Sequence, residues 1–567
     1  MVRHLRGFSL IDVIVGVALL LVTFLALFGV LRASLTLSTI TKAKAAGVEL
    51  GNSQMEYLRG FSYEALGTVG GIPGGAIPQM ATTTVDGVSY GVRTFIEYHD
   101  DPADGEGLLD TNAITTDYKT GKVTITYTIY GLTKSLVLVS NFAPSGIEAA
   151  TDGGTLSLHV VDKSNADVTD ASVRIVNSAI SPAVDFTTFT NASGLVLIGG
   201  AATSSEYQIY VSRAGYSSAQ TYARTGQNVN PTPGYLTVVK NQTTSATFTI
   251  DELATFTLAS WSPATTATFT DTFDSVANLA SQTDTTVTGG ELVLATEALS
   301  GSARSIPISP SYLAGWGILS ATYVAPAGTS IVVRIDDTSG TPLPDSALAG
   351  NSVGFSAFPI SLTGIATSSY PGLSLEASLA SDAITTTPSL LDWSLSYTTG
   401  PAPLPNTAFT LTGAKSIGTD SNDLNIYKTV LADTTGAGAA KSESLEFDTY
   451  TLTLDSANLI ESCFPGPYTL APAGATSTSL LVGDPTTNAL SVLITDSIGS
   501  AIHGAKVVLT KAGYAATVST SVCGTSYFNG LSAGTYSATV SASGYPTTSF
   551  PAIPVAGNTG TTTLTLP

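Results

Sequence analysis

The stretch RGFSLIDVIVGVALLLVTFLALFGVL (Arg6–Leu31) sets the first element of the fold. From Phe8 to Leu31 it runs 24 almost wholly apolar residues, or about 36 Å as a helix at ~1.5 Å per residue. That reaches across the hydrocarbon layer of a bilayer. Arg3, His4 and Arg6 precede the run, and the next basic residues are Arg32, Lys42 and Lys44, which places the leader on the cytoplasmic side. A cleaved secretory signal has a shorter apolar core and a small-residue site behind it. One residue does not suit a plain membrane anchor: Asp12. A carboxylate at the centre of a spanning helix costs roughly 2.5–3.5 kcal/mol, less near an interface.

The rest of the chain is of a different kind. The sequence has 567 residues, a net charge of -20 and only 11% charged residues. That length predicts several domains. Short alternating apolar segments, punctuated by Gly, Pro, Asp and Asn, predict tandem extracellular β-sandwiches behind one long helix, a mainly β chain. The acidic balance argues against nucleic-acid binding, which needs basic stripes. Two cysteines and four histidines leave little material for a metal centre, and no cofactor is expected.

Arg6, Gly7, Phe8, Ser9, Leu10, Ile11 and Asp12 together resemble the processing motif of type IV prepilins. The resemblance implies cleavage by a prepilin peptidase between Gly7 and Phe8, and N-methylation of Phe8. It also gives Asp12 a purpose. In that family the acid pairs with the N-terminus of a neighbouring subunit in the apolar layer, where each charge alone is expensive. Asp12 would then be an assembly contact with other pilin subunits. The family usually has Glu here, so Asp12 is one methylene shorter. Many members carry a Pro farther along, where this chain has Gly29. The competing reading is an acid tolerated near the membrane interface and favoured by the helix N-terminal dipole.

The helix is expected over 8–58, behind a leader at 1–7, and a pilin-like β head over 59–150. Gly47 and Gly51 weaken the helical pattern, and GTVGGIPGG (Gly67–Gly75) ends it. Ser89–Asp100, Gly121–Gly131 and Lys134–Phe142 read as strands. Between them Asp100, Asp101, Asp104, Glu106 and Asp110 offer hard oxygens to Ca²⁺, but the spacing is not an EF-hand, and a solvated acidic turn, which needs no metal to be stable, is the favoured reading.

Two distant stretches align. LSLHVVDKSNADVTDASV (Leu156–Val173) matches LSVLITDSIGSAIHGAKV (Leu490–Val507), with Asp162 against Asp496 and Ala171 against Ala505. Their ends, YQIYVSRAGY (Tyr207–Tyr216) and YSATVSASGY (Tyr536–Tyr545), also match. Both resemble the carboxypeptidase regulatory-like domain, a small Greek-key sandwich, expected at 151–253 and 486–567. A zinc peptidase is not implied, because none of His4, His99, His159 and His503 has Glu three residues on. A third, divergent sandwich of this kind is expected at 401–485. Cys463 falls near its end and Cys523 in the next domain; a disulfide and two free thiols both suit the sequence.

A jelly-roll-like sandwich is expected at 254–400. Trp261, Trp316 and Trp393 lie in or beside it. Their faces could stack on a glycan, or they could be core residues, as the alternation around Trp393 suggests. Asp271, Asp274, Asp336 and Asp337 are a second set of Ca²⁺ candidates. No Gly-x-Ser-x-Gly elbow with a His partner is present, and an enzyme is not expected. The expected function is a minor or tip pilin-like subunit, single-pass in the cytoplasmic membrane and then on a pilus or the cell surface. There it would display an adhesive β region to a glycan or protein ligand. A secretion or DNA-uptake pseudopilin and a non-polymerising anchored binding protein are the alternatives.

Overall fold

A computed structural model describes residues 10–101, 116–144, 152–454, 459–462, 466–483 and 488–567. The chain is mainly β, with one N-terminal apolar helix and tandem β-sandwiches. It divides into two compact units. One holds the chain up to Leu253 together with Ser416–Lys428, and the other holds Ala254–Lys415 and Thr429–Pro567.

In the first unit, helix α1 runs unbroken from Leu10 to Arg59, 50 residues, about 75 Å at the usual rise. Its first half is exposed along its length, whereas Ala43, Met55 and Leu58 are buried. The buried half lies on an antiparallel sheet of four strands in sequence order: Met80–Val85, Val88–His99, Tyr118–Ile129 and Leu132–Phe142. Val123, Ile125, Tyr127 and Ile129 all point to the helix side and are buried, as their period of two requires.

The two glycines that weaken helix propensity are where the helix meets the sheet. A Cβ on Gly51 would stand 2.6 Å from Leu138 Cδ1, and one on Gly47 would stand 3.0 Å from Leu136 Cδ1. Missing side chains therefore let the helix settle onto the leucines. Gly51→Leu is expected to lower the stability of the head by roughly 1–3 kcal/mol, since overpacking outweighs the gain in helix propensity. A urea titration followed by near-UV signals would check this, with Gly16→Leu, at a site with nothing within 4 Å, as the neutral control. Two further contacts tie the helix down. Tyr90 OH donates to the Ala43 carbonyl at 2.9 Å. The buried Lys119 ammonium donates to the carbonyls of Tyr63 (2.6 Å) and Leu66 (2.9 Å), just past the helix end. Burial lowers the Lys119 pKa to about 8.

The head and the first sandwich share packing. Phe95 and Ile72 join the sandwich core beside Phe186, and the Phe95 and Phe186 rings are 5.8 Å apart. The expected boundary at 150/151 is therefore a boundary in sequence but not in the core. This sandwich has one sheet in which Gly153–Val161 lies between Leu195–Ala202 and Thr243–Thr249, the last of these parallel to it. In its second sheet the order is Val184–Phe189, Ser172–Asn177, Ser204–Ser212, Ala219–Gln220.

The same plan occurs twice in the second unit. At the C-terminus, Ala489–Thr495 lies between Thr525–Phe528 and a parallel Asn558–Thr565, and the other sheet runs Tyr514–Ser519, Lys506–Lys511, Gly534–Ser541, Thr548–Val555. In the middle copy, Ala254–Ser262 lies between Ala440–Leu445 and a parallel Ala475–Val482. Its other sheet runs Val430–Thr434, Ala408–Gly413, Thr449–Leu454, Tyr468–Thr469. Ala254–Ser262 thus belongs with the strands after residue 401, not with the domain expected at 254–400. Its inward residues Ala254, Phe256 and Leu258 join the core of Phe409, Leu411 and Leu480.

Side-chain wiring repeats with the topology. Thr190 Oγ1 accepts from Ala171 N and donates to Val168 O. Thr520 does the same with Ala505 and Ile502, and Thr435 with Thr407 and Leu404. Tyr207, Tyr450 and Tyr536 each donate their hydroxyl to a carbonyl four or five residues upstream. Asp162 and Asp496 both accept from the backbone NH groups two and four residues on. The middle copy has no such turn, because a whole domain stands in its place.

That inserted domain packs two sheets around Trp316, Trp393, Phe273 and Leu375. One contains Thr265–Asp271, Ser389–Thr399 and Leu313–Val324; the other runs Leu279–Thr283, Ser300–Ser305, Leu373–Ser381, Thr329–Asp337. A second insertion is the hairpin Ser416–Thr419 with Asn425–Tyr427. It belongs to the first unit, where the Ile417 and Thr419 carbonyls accept from Thr232 N and Val229 N, each at 2.9 Å.

Candidate functional site

The exposed half of α1 is the first candidate. Leu10 is 77% exposed, and Phe24, Leu27 and Val30 are similarly bare. The helix is long and apolar enough to cross a membrane, a property that a signal sequence also has. Four of its threonine hydroxyls are turned back onto the helix. Thr23 Oγ1 donates to Leu20 O at 2.8 Å, and Thr36, Thr39 and Thr41 each donate to the carbonyl four residues earlier. Such back-bonding removes the polar cost of a threonine on an apolar surface. The helix is not interrupted at Gly29. Asp12 lies in the first turn of α1, while its side chain, and Gly7 and Phe8, lie outside the described residues.

The acidic stretch is only partly described. Asp100 is buried, and Asp101 N donates to Asp117 Oδ2 at 2.5 Å. Asp104, Glu106 and Asp110 lie outside the described residues. Among the described residues no three His, Cys, Asp or Glu side chains gather as a metal site. The second Ca²⁺ set is not brought together. Asp337 Oδ1 accepts from Ser339 N and Thr341 N in its own turn. Asp271 Oδ1 accepts from Phe273 N, and Asp274 Oδ2 accepts from Thr272 Oγ1.

Asp336 is different. It is 1% exposed, and neither carboxylate oxygen has a hydrogen-bond partner. Burial first, then the nearby Glu376 and Asp337 charges, raise its pKa to about 6, against the opposing pull of Arg304 and Arg334.

The three tryptophans separate. Trp393 and Trp316 are core residues, the latter donating Nε1–H to Tyr370 O at 3.0 Å, so neither offers a face to a ligand. Trp261, 36% exposed, is set at the end of the first strand of the middle copy. It lines a cavity of about 380 Å³ with Ala264, Pro401, Leu481, Ser526 and Tyr527, among others. Sequence reasoning missed this cavity, since its walls come from four separated segments. Cys523 is disulfide-bonded; the other cysteine of the sequence, Cys463, lies outside the described residues. His159, on the strand Gly153–Val161, pairs its Nε2 with Asp167 Oδ1 at 2.8 Å.

Residues 489–567 match the carboxypeptidase regulatory-like domain family. The match covers the C-terminal copy alone. The other two copies are tied to it by the strand order and hydrogen bonds above. No curated protein matches the chain. Solved structures similar to it include the Bacillus anthracis TIE protein, at 9% identity and a TM-score of 0.16, over 86% of this chain and 73% of that one. BcpA, the major pilin subunit of Bacillus cereus, is 11% identical with a TM-score of 0.14, over 73% and 98%. The RrgB pilus protein of Streptococcus pneumoniae is 11% identical with a TM-score of 0.12, over 72% and 93%. Likeness at this level carries no inference about binding or assembly.

Proposed function

We propose that the chain is a type IV pilin-like minor or tip subunit that displays its sandwiches outside the cell for adhesion. The observation that carries this reading is the division of α1. Its apolar first half is bare, with Asp12 as its sole acid, and its second half is cemented onto a four-stranded antiparallel sheet. A helix so divided suits a subunit that first sits in a membrane and then packs its bare half against copies of the same helix. The sequence motif at Gly7, Phe8 and Asp12 supports the same reading. After removal of the leader by a prepilin peptidase, the Phe8 amino group of one subunit would face Asp12 of the next. At 57.8 kDa the chain is bulky for the repeating unit of a thin filament, which favours a minor or tip position. The role is display and contact, not catalysis.

The deciding measurement is the mass of the N-terminal peptide from the native protein, in membrane and sheared-surface fractions. A peptide starting at methylated Phe8 in the sheared fraction is expected. The same peptide confined to the periplasmic face would indicate a secretion or DNA-uptake pseudopilin. An intact Met1 start, confined to membranes, would leave an anchored β protein that does not assemble.

A further inference from the structure

Three asparagines of the chain stand two positions before Ser or Thr: Asn191-Ala192-Ser193, Asn230-Pro231-Thr232 and Asn241-Gln242-Thr243. Asn-x-Ser/Thr, with x other than Pro, is the acceptor pattern for N-linked glycans on exported proteins. Pro231 removes the second of the three. The structure separates the other two. Asn191 is exposed, but its carboxamide is held: Oδ1 accepts from Ser193 N and Leu195 N, each at 2.9 Å. An amide nitrogen becomes a nucleophile only when the group turns and gives up its conjugation. At Asn191 that motion would strip two backbone N–H groups of their acceptor.

Asn241 is the opposite case. It is exposed, in the turn between strands Leu236–Val238 and Thr243–Thr249. Its φ of 55° is in the left-handed region, which Asn tolerates better than most residues. The turn is pinned by its main chain alone. Asn241 N donates to Gly153 O at 2.9 Å, and Gln242 N donates to Val239 O at 3.2 Å. The Asn241 carboxamide makes no hydrogen bond among the described residues, so it can turn at no cost to the fold. Gln242 is exposed and Thr243 half-buried. Thr243 opens an edge strand of its sheet, paired in parallel with Gly153–Val161. The tripeptide can therefore be reached from solvent without breaking a ladder.

We propose that Asn241 is an N-glycosylation site, modified on the exported, folded chain. The donor is a saccharide joined through a diphosphate to a membrane lipid. Asn241 Nδ2 bonds to the anomeric carbon as the bond from that carbon to the diphosphate oxygen breaks. The lipid diphosphate leaves with the electron pair, and the Nδ2 proton passes to a base of the membrane transferase. The site goes beyond the pilin-like reading and rests only on its outward display of the sandwiches.

The test uses native chain from its source cells. Peptides containing Asn241 and Asn191 are sequenced by tandem mass spectrometry that keeps a glycan attached. A saccharide mass on Asn241, and none on Asn191, is expected. Asn241→Gln and Thr243→Ala should each abolish it, and Thr243→Ser should keep it. Thermal melts of the variants establish that the fold is unchanged. A bare Asn241, equal occupancy at Asn191, or a glycan that survives Thr243→Ala would overturn the site. Protease shaving of intact cells separates this failure from that of the display reading. A bare Asn241 on a chain that the protease reaches overturns the site and leaves display intact. A chain beyond its reach that carries the saccharide keeps the site and overturns surface display.

Discussion

Asp336→Asn is expected to make the inserted sandwich more stable at pH 7, by about 2 kcal/mol, and to flatten its response to acid. The folded pKa of about 6 stands above the ordinary value of 3.8. Between those values the folded chain holds a proton that the unfolded chain releases. Stability from this group is therefore fully present below pH ~4 and lost as pH rises through ~6. At about 1.4 kcal/mol per pKa unit the gap corresponds to roughly 3 kcal/mol. Part of it is not recovered by Asn, whose amide also sits without partners. Thermal melts of wild type and variant from pH 3 to 8 measure the difference. The wild-type curve should fall relative to the variant across pH 4–6, with the variant ahead by roughly 4–8 °C at neutral pH. Parallel curves would mean that Asp336 is hydrated or paired in solution.

Asp12→Ala should leave the chain folded and membrane-bound but remove it, by tenfold or more, from the sheared surface fraction. In the proposed assembly, removal of the carboxylate takes away the partner of a neighbouring Phe8 amine in an apolar layer, where a lone cation is strongly disfavoured. The sandwiches, distant in sequence, should keep their melting behaviour. Asp12→Glu restores the charge with a longer reach and should restore assembly; Asp12→Asn should not. Assembly that is indifferent to all three substitutions would falsify the pairing mechanism and leave the acid as a resident of the membrane interface.

The features legible in the sequence are the local ones. The Asp162 and Asp496 turns, Ala171 and Ala505, and Tyr207 and Tyr536 sit in similar neighbourhoods in two copies, so the duplication could be seen without a structure. The third copy was harder to read. Its first strand, Ala254–Ser262, pairs with Ala475–Val482 across more than two hundred residues, and no local pattern announces a pairing of that separation. Asp336 was marked as a metal candidate because it stands beside Asp337. Its burial follows from the segment after it, which folds back so that Leu343 N donates to Ile335 O at 3.0 Å and Phe355 N to Val333 O at 2.8 Å. The alternation around Trp393 reads as a core position and is one; Trp316 has no such local signal, and packing buries it as well.

The parallel pairing of first and last strands has a mechanical meaning for a protein held at one end and pulled at the other. In each copy, tension enters at the start of the first strand and leaves at the end of the last, at opposite ends of one parallel ladder. The ladder's hydrogen bonds are then loaded together in shear, and cannot be unzipped singly. The inserted sandwich is spliced in after the first strand of the middle copy, and Trp261 and Ser262 pair with Pro403 and Ala402 where the chain returns. Force therefore passes from first strand to last without entering the insertion. The chain carries its largest domain off the load path.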